Sequence, residues 1–207
     1  MITNSAKFWD RIALRYSKQP ISDPQSYEKK LATTQSHMHP NMKVLELGCG
    51  TGSTAIIHAP HVTEIVATDV SSRMISIGRE KAKNEGINNI NFINTSVEDF
   101  DATEGSFDMV LALNLIHLLS DRQAALSKIY RLLKPGGIFI SSTVCLSNKL
   151  WFLRPMIWVM QCFGKAPYVT FLNDANVLKE IEAVGFDALD HWTHGNSNSL
   201  FLVAKKR

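Results

Sequence analysis

Short apolar runs separated by amphipathic stretches set the pattern of the chain. Val44, Leu45 and Leu47 form the first run, Val62 to Asp69 hold the second, and Phe107 to Leu113 form another. Runs this short and this continuously apolar predict strands covered on both faces. Asn91 to Asn94 predicts a further strand between them, and Ile138 to Ser141 a fifth. Helical spacing fills the gaps: Ser53 to Ala59, Ser71 to Glu85 (Met74, Ile75 and Ile77 apolar, Arg79, Lys81 and Lys83 charged) and Asp121 to Leu133. Gly86 and the stretch Lys134-Pro135-Gly136-Gly137 supply stops. Asn173 to Ala183 predicts a last helix ended by Gly185, before a strand pair at Phe186 to Trp192 and Ser199 to Ala204 joined by a Gly/Asn/Ser turn. Strands alternating with helices, closed by such a pair, predict an α/β fold with a mostly parallel, doubly wound sheet.

Two segments stand outside this rhythm. Phe8, Trp9, Ile12, Ala13 and Tyr16 recur at helical spacing; Pro20 and Pro24 interrupt, and Tyr27 and Leu31 resume the pattern. This predicts two helical pieces over 5–35, either packed on the domain or forming a lid in which Tyr16 and Tyr27 supply rings with a polar handle. The second segment, Leu150 to Phe163, is the most apolar of the chain and holds Trp151, Phe152, Met156, Trp158 and Met160. Pro155 suits its start and Gly164 its stop. Three readings stand: core or subunit interface in a homodimer, roof of an apolar substrate pocket, or peripheral contact with a membrane surface. It is too short to cross a bilayer and contains Arg154.

Composition narrows the class. A chain of 207 residues with 45% hydrophobic and 20% charged residues can bury a core and does not read as disordered. It predicts one domain, divided into an N-terminal helical segment (1–40), a binding core (41–145), an apolar insertion (146–172) and a C-terminal helix with a strand pair (173–207). The net charge of +3 comes without any block of five like charges. Cys49, Cys145 and Cys162 have unrelated spacings, and predict neither a disulfide framework nor a metal site. The start holds no apolar stretch of signal-peptide length, and the chain reads as cytoplasmic.

The chemistry is concentrated in Lys43-Val-Leu-Glu-Leu-Gly-Cys-Gly-Thr-Gly52. A strand ending in Gly48, Gly50 and Gly52 and turning into a helix brings bare backbone close to a ligand. The spacing G-x-G-x-G is not the G-x-G-x-x-G of a dinucleotide turn, and no G-K-[ST] follows for a triphosphate. Glu46, two residues before the first glycine, would repel a pyrophosphate but suits an ammonium or a sulfonium. Asp69 ends the second strand 17 residues after Gly52, placed to accept hydrogen bonds from a ribose diol or to cap the next helix. Ser71 or Ser72 can also serve as that cap.

Val44 to Gly52 resembles the first motif of class I S-adenosylmethionine-dependent methyltransferases. Phe8 to Tyr16 resembles the leading segment of small-molecule members, and Leu132 to Gly137 resembles the turn before their fifth strand. The resemblance covers residues 40 to 145 well and the flanks loosely. It implies a Rossmann-like sheet of seven strands with the last antiparallel, S-adenosylmethionine as cofactor, and in-line methyl transfer to a small acceptor, which the apolar stretch 150–163 points to as an apolar molecule. It assigns the methionine end of the cofactor to Glu46 and Gly48, the ribose to Asp69 and the adenine to Val97 and Glu98. Around these, Tyr16, Cys49 (a small packing residue of the loop), Gly50, Gly52, Val70, Met74, Ser96, Asn114 and Leu115 complete the expected cofactor site. Tyr27, Trp151 and Trp158 are assigned to the substrate pocket. His117 or His191 is the candidate should a general base be needed, with a structural hydrogen-bonding role as the alternative for His117.

Other functions share parts of this pattern. A nicotinamide oxidoreductase would use the same glycines and Asp69, and a noncatalytic adenosylmethionine-binding scaffold would keep the loop without turnover. A nucleobase-methylating relative would carry an Asn/Asp-Pro-Pro-aromatic tetrad after the fourth strand. Here that position reads Asn114-Leu115-Ile116-His117, which places nucleic acid behind small molecules as the acceptor.

Overall fold

The computed structural model describes residues 2–146, 151–162, 166–193 and 198–207. In chain order the elements are α1 (Ile2–Ser17), α2 (Pro24–Gln35), β1 (Lys43–Leu47), α3 (Ser53–His58), β2 (Glu64–Asp69), α4 (Ser72–Asn84), β3 (Ile90–Asn94) and β4 (Phe107–Leu113). There follow α5 (Arg122–Leu132), β5 (Leu133–Val144), α6 (Arg154–Cys162), α7 (Asp174–Val184), β6 (Phe186–Thr193) and β7 (Ser199–Lys206). The strands form one seven-stranded sheet in the order β3-β2-β1-β4-β5-β7-β6. β1 to β5 are parallel, and β7 runs antiparallel to both β5 and β6. The doubly wound, Rossmann-like expectation and the antiparallel last strand are therefore observed.

Alternation along the strands explains why both faces are covered. Leu45 and Leu47 of β1 join Val110, Phe139, Leu202, Ile129 and Ile181 in one core layer, while Val44 joins Ile65, Met109, Ile75 and Phe201 in the other. Phe107, Phe139, Phe186 and Phe201 are fully buried. A side chain of that kind contributes roughly 1.5–3 kcal/mol by leaving water.

Caps set most helix boundaries. Asp23 Oδ1 accepts from Ser26 N at 3.0 Å and starts α2, with Pro24 at its first position. Ser71 Oγ accepts from Met74 N at 3.1 Å and starts α4, so the serine holds the cap role that Asp69 could have taken. Asp121 and Asn173 do the same for α5 and α7. One expectation is corrected. Lys134 to Gly137, read as a turn before the fifth strand, lies inside β5, where the pairing with β4 jumps from Phe107↔Leu133 to Met109↔Ile138. The jump absorbs the extra residues, and Gly136 takes φ +74° within it.

α1 lies on α4. Asp10 Oδ1 accepts from Ser71 Oγ at 2.6 Å and from Arg73 N at 3.1 Å, a second anchor at the same helix start. α6 carries Met156, Trp158 and Val159 outward, with Trp158 66% exposed. The turn joining β6 to β7, Gly164 and the Trp151 side chain lie outside the described residues. No helix among the described residues is long and apolar enough to cross a membrane.

Candidate functional site

The order of strands reverses between β1 and β4, and in open α/β sheets the carboxyl ends of the strands at such a point border a crevice. A cavity of about 330 Å³ opens there. Its wall contains Tyr16, Gly48, Gly50, Asp69, Val70, Met74, Ser96, Val97, Glu98, Asn114, Leu115 and His117, which the fold gathers from α1 and the ends of four strands.

The glycine loop divides into positions with different tasks. Gly50, at φ +55°, faces Tyr16, whose ring carbon would lie 3.9 Å from an added Cβ. Gly48, at φ +68°, could carry a Cβ only 2.8 Å from Leu115 Cδ1, so its lack of a side chain lets the β4 loop close over β1. Gly52 does not line the cavity. It sits against Phe92 and Gly78, where a Cβ would meet Phe92 Cε1 at 2.7 Å, and it serves packing of the loop on β3 and α4. Cys49 is likewise buried outside the wall. Lys81 Nζ donates to Thr51 Oγ1 and Ser53 Oγ, each at 3.0 Å, and ties the loop to α4.

Asp69 holds the loop from the other side: its Oδ2 accepts from Gly50 N at 2.9 Å and its Oδ1 from Ser71 N at 2.8 Å. Burial raises its pKa, opposed by these two backbone donors. Tyr16 stands beside it, with its own pKa raised by burial and then by the Asp69 charge, so the phenol keeps its proton. Ser96 Oγ donates to Asp99 Oδ2 at 2.8 Å, which ties that exposed carboxylate to its own loop, and Glu98 is the acid on the cavity wall. Sequence reading missed Lys128, whose ammonium donates to the carbonyls of Val97, Glu98 and Phe100 at 3.1, 2.6 and 2.8 Å. It clamps the β3 loop from α5, and no local pattern marks a lysine 30 residues away for that role.

Asn114 follows the last residue of β4 at φ +57°, the only positive φ outside glycine among the described residues. Non-glycine residues rarely hold that conformation without support from surrounding structure. Its N–H donates to Ser142 O at 2.7 Å, which fixes it over the cavity floor. His117 follows in a 3₁₀ turn and is buried. Val144 N donates to its Nδ1 at 3.4 Å, and burial lowers its pKa to about 4. The imidazole is thus neutral near pH 7, with its proton on Nε2 as the tautomer this contact selects.

Three sequence-predicted residues lie elsewhere. His191 is exposed on the edge strand β6, Trp158 is exposed on α6, and neither lines this cavity. Tyr27 faces a separate space beyond α3, its hydroxyl 3.4 Å from Thr54 Oγ1. Trp9 and Tyr168 line the cavity without having been singled out for it. Trp9 was legible as part of the apolar face of α1, whereas the stretch around Tyr168 carries no periodic signal.

Residues 44–137 match the methyltransferase domain family. A ubiquinone biosynthesis O-methyltransferase from Cereibacter sphaeroides is 28% identical over 153 residues, covering 72% of this chain and 62% of that protein. A hybrid synthetase, mpsA, from Macrophomina phaseolina is 31% identical over 179 residues, covering 80% of this chain and 4% of that protein. The crystal structure of YcgJ from Bacillus subtilis superposes with a TM-score of 0.73 at 16% identity, covering 87% of this chain and 99% of that one. Residues 44–137 thus form a methyltransferase domain, and the sheet that carries it has the fold of the class I S-adenosylmethionine-dependent methyltransferases. The chain spans less than two thirds of the length of the curated relatives it matches here.

S-adenosylmethionine is the cofactor of that family, and the residues at this cavity fit it. Glu46 does not itself line the cavity: it lies behind Gly48 near the end of β1, 3% exposed, with its Oε2 buried and without a hydrogen-bond partner among the described residues. Burial, and then repulsion by Asp69, push its pKa up to about 8. A buried carboxylate in that state gains most from a cation. The glycines remove the side chains that would fill the cradle, and Asp69 keeps lone pairs beyond those its two backbone donors use. The comparisons lend no support to the nicotinamide alternative for the same glycines and aspartate.

The Glu46 shift gives a measurable sign. An ordinary carboxyl pKa of 4.5 rises to about 8 on folding, so the folded protein holds a proton that the unfolded chain has lost between those values. Stability of the ligand-free protein should therefore fall as pH rises through that window, and Glu46→Gln should remove this slope. When a cationic ligand forces Glu46 to ionise, about one proton leaves for the buffer near pH 6.5. Calorimetric titration with S-adenosylmethionine in buffers of different ionisation enthalpy should detect that release in the wild type and not in Glu46→Gln.

Proposed function

We propose that this protein transfers a methyl group from S-adenosylmethionine to a small-molecule acceptor by in-line displacement. The observation that carries the reading is the single cavity that joins the Gly48–Gly50 cradle and Asp69 to the strained Asn114 at the tip of β4. When bound, S-adenosylmethionine would supply an electrophilic sulfonium methyl group for the acceptor atom. The chain's own residues have to orient the two partners and exclude water, and alignment of that kind can lower a barrier by roughly 7–11 kcal/mol.

In this reading Glu46 and Gly48 hold the methionine end, Asp69 accepts from the ribose hydroxyls, and Val97 and Glu98 border the adenine. Tyr16 and Trp9 cover the cavity from α1, which gives the N-terminal helix its lid role. His117 acts as a neutral donor and positioning residue: its Nδ1 already accepts from Val144 N, which disqualifies that atom as a free base. His191 has no part in the reaction, since it lies on an exposed edge strand. Trp158 belongs to the outward face of α6 and does not roof the acceptor. A homodimer or a membrane surface would use that same face, and neither is needed for methyl transfer.

Titration calorimetry of the purified protein with S-adenosylmethionine, S-adenosylhomocysteine and NAD tests the reading. Binding of both adenosyl ligands in the micromolar range, with none of NAD, is the expected result. Absence of binding by either adenosyl ligand would overturn it.

A further inference from the structure

Behind Asn114 lies a second cavity of about 270 Å³, bordered by α2, α3 and the ends of β4, β5 and β7. Leu113 and Asn114 belong to the walls of both cavities, so the two spaces meet at the tip of β4. The site already described uses nothing else of this chamber.

Its chemistry differs from the first. Lys30 of α2 points its ammonium at Ser142, donating to Oγ at 2.9 Å, and Ser142 Oγ lies 3.0 Å from Ser199 Oγ and 3.4 Å from Asn114 Oδ1. An ammonium carries three donors. The hydrogen bond to Ser142, a neutral hydroxyl, is the one it makes among the described residues, and it has no ion pair there. Burial lowers its pKa, the direction expected for a cation lacking close compensation. Asp23, also in the wall, opposes that shift but forms no ion pair with Lys30. It caps the start of α2, seven residues or about 10 Å along the helix from Lys30. A second polar group awaits a partner: His58 lines the chamber, is fully buried, and its Nε2 has no hydrogen-bond partner in the described structure. Leu31, Leu113 and the Tyr27 ring give the same chamber an apolar side.

We propose that the second cavity seats the methyl acceptor and that the acceptor is a small organic acid whose carboxylate lies on Lys30, Ser142 and Ser199. This rests on the methyl-transfer reading above and names the substrate class for it. The carboxylate takes the ammonium donors left over by Ser142, while the body of the acid packs on Leu31, Leu113 and Tyr27. The reacting atom then reaches past Asn114 toward the Gly48 end of the first cavity. On transfer that atom bonds the methyl carbon, the sulfonium sulfur keeps the broken bond's electron pair, and a proton carried by the acceptor atom goes to solvent. A neutral amide of the same shape offers Lys30 one carbonyl oxygen and no charge, a weaker hydrogen bond that selects against it.

The test uses the full chain saturated with S-adenosylhomocysteine and two probe pairs, benzoate against benzamide and phenylacetate against phenylacetamide. Calorimetry should find at least one acid bound about tenfold or more tightly than its amide. Lys30→Met should abolish that preference and leave S-adenosylhomocysteine affinity within about twofold. Equal binding of acids and amides, or binding of none of the four, overturns the proposal. A large loss of S-adenosylhomocysteine affinity in Lys30→Met also overturns it, because Lys30 would then serve the cofactor's own carboxylate. Should Lys30→Met fail to fold, the acid–amide comparison on the wild type decides alone. Failure of the wild type to bind S-adenosylhomocysteine, read before any acid is added, would instead overturn the methyl-transfer reading beneath.

Discussion

Asp69→Ala is expected to weaken S-adenosylhomocysteine binding by at least about 100-fold. Two charge-assisted hydrogen bonds from a ribose diol contribute roughly 1.5–3 kcal/mol each, and each 1.4 kcal/mol is tenfold. The same change also removes the acceptors of Gly50 N and Ser71 N, at 2.9 and 2.8 Å, and so loosens the glycine loop that forms the rest of the cradle. Both effects act in one direction. Asp69→Asn separates them in part, since its one remaining side-chain oxygen can hold one of the two backbone donors but not both, and an intermediate loss is expected. Titration calorimetry measures both variants. Wild-type affinity in Asp69→Ala would remove the ribose from this residue and leave the aspartate with a purely structural task.

Gly52→Ala should produce the largest loss of stability among changes in the loop, although Gly52 touches no part of the cavity. Its φ of +73° lies in the left-handed region, which costs an L-residue roughly 1–2 kcal/mol. The new methyl would also sit 2.7 Å from Phe92 Cε1 and 3.3 Å from Gly78 Cα, at the contact where the same ring edge meets α4. Overpacking of that kind costs typically 1–3 kcal/mol more. Together these lower the melting temperature of the ligand-free protein by roughly 10 °C. Gly50→Ala is the control: its Cβ finds open space apart from Tyr16 at 3.9 Å, so it bears the backbone strain without the collision. Its expected defect is smaller in melting temperature and larger in ligand binding. A melting temperature for Gly52→Ala equal to that of Gly50→Ala would remove Phe92 from this account.

The two glycines show where sequence reading stops. Their spacing after an apolar strand announced a ligand loop, because glycine's freedom at positive φ is a local property that travels with the residue. Which glycine approaches the ligand and which accommodates Phe92 depends on a side chain 40 residues further on and on the direction in which β3 presents it. Asp69 was legible for the same local reason as the glycines, at the end of a strand whose neighbour is dictated by chain order. Ser71 as the helix cap was legible only as one of several options, and the hydrogen bond from Met74 N selected it.

Period and punctuation determined the fold on their own: apolar runs of strand length, helices between them, and Gly, Pro, Asp and Ser at the boundaries are all written within a few residues of where they act. The nature of the ligand loop and the carboxylate at the tip of β2 followed from the same short-range signals, while the methyltransferase family was legible as a resemblance carried by Val44 to Gly52. Tertiary structure alone decided what those signals do not contain. It turned Trp158 to solvent, placed His191 on an edge strand, left Glu46 Oε2 buried without a partner, and brought Lys30 to within 2.9 Å of Ser142 across 112 residues of chain. The physical reason is one of range. Backbone preference and hydrophobic period act on neighbours in sequence, whereas burial, pairing of charges and the shape of a cavity are properties of residues that meet only once the sheet has closed.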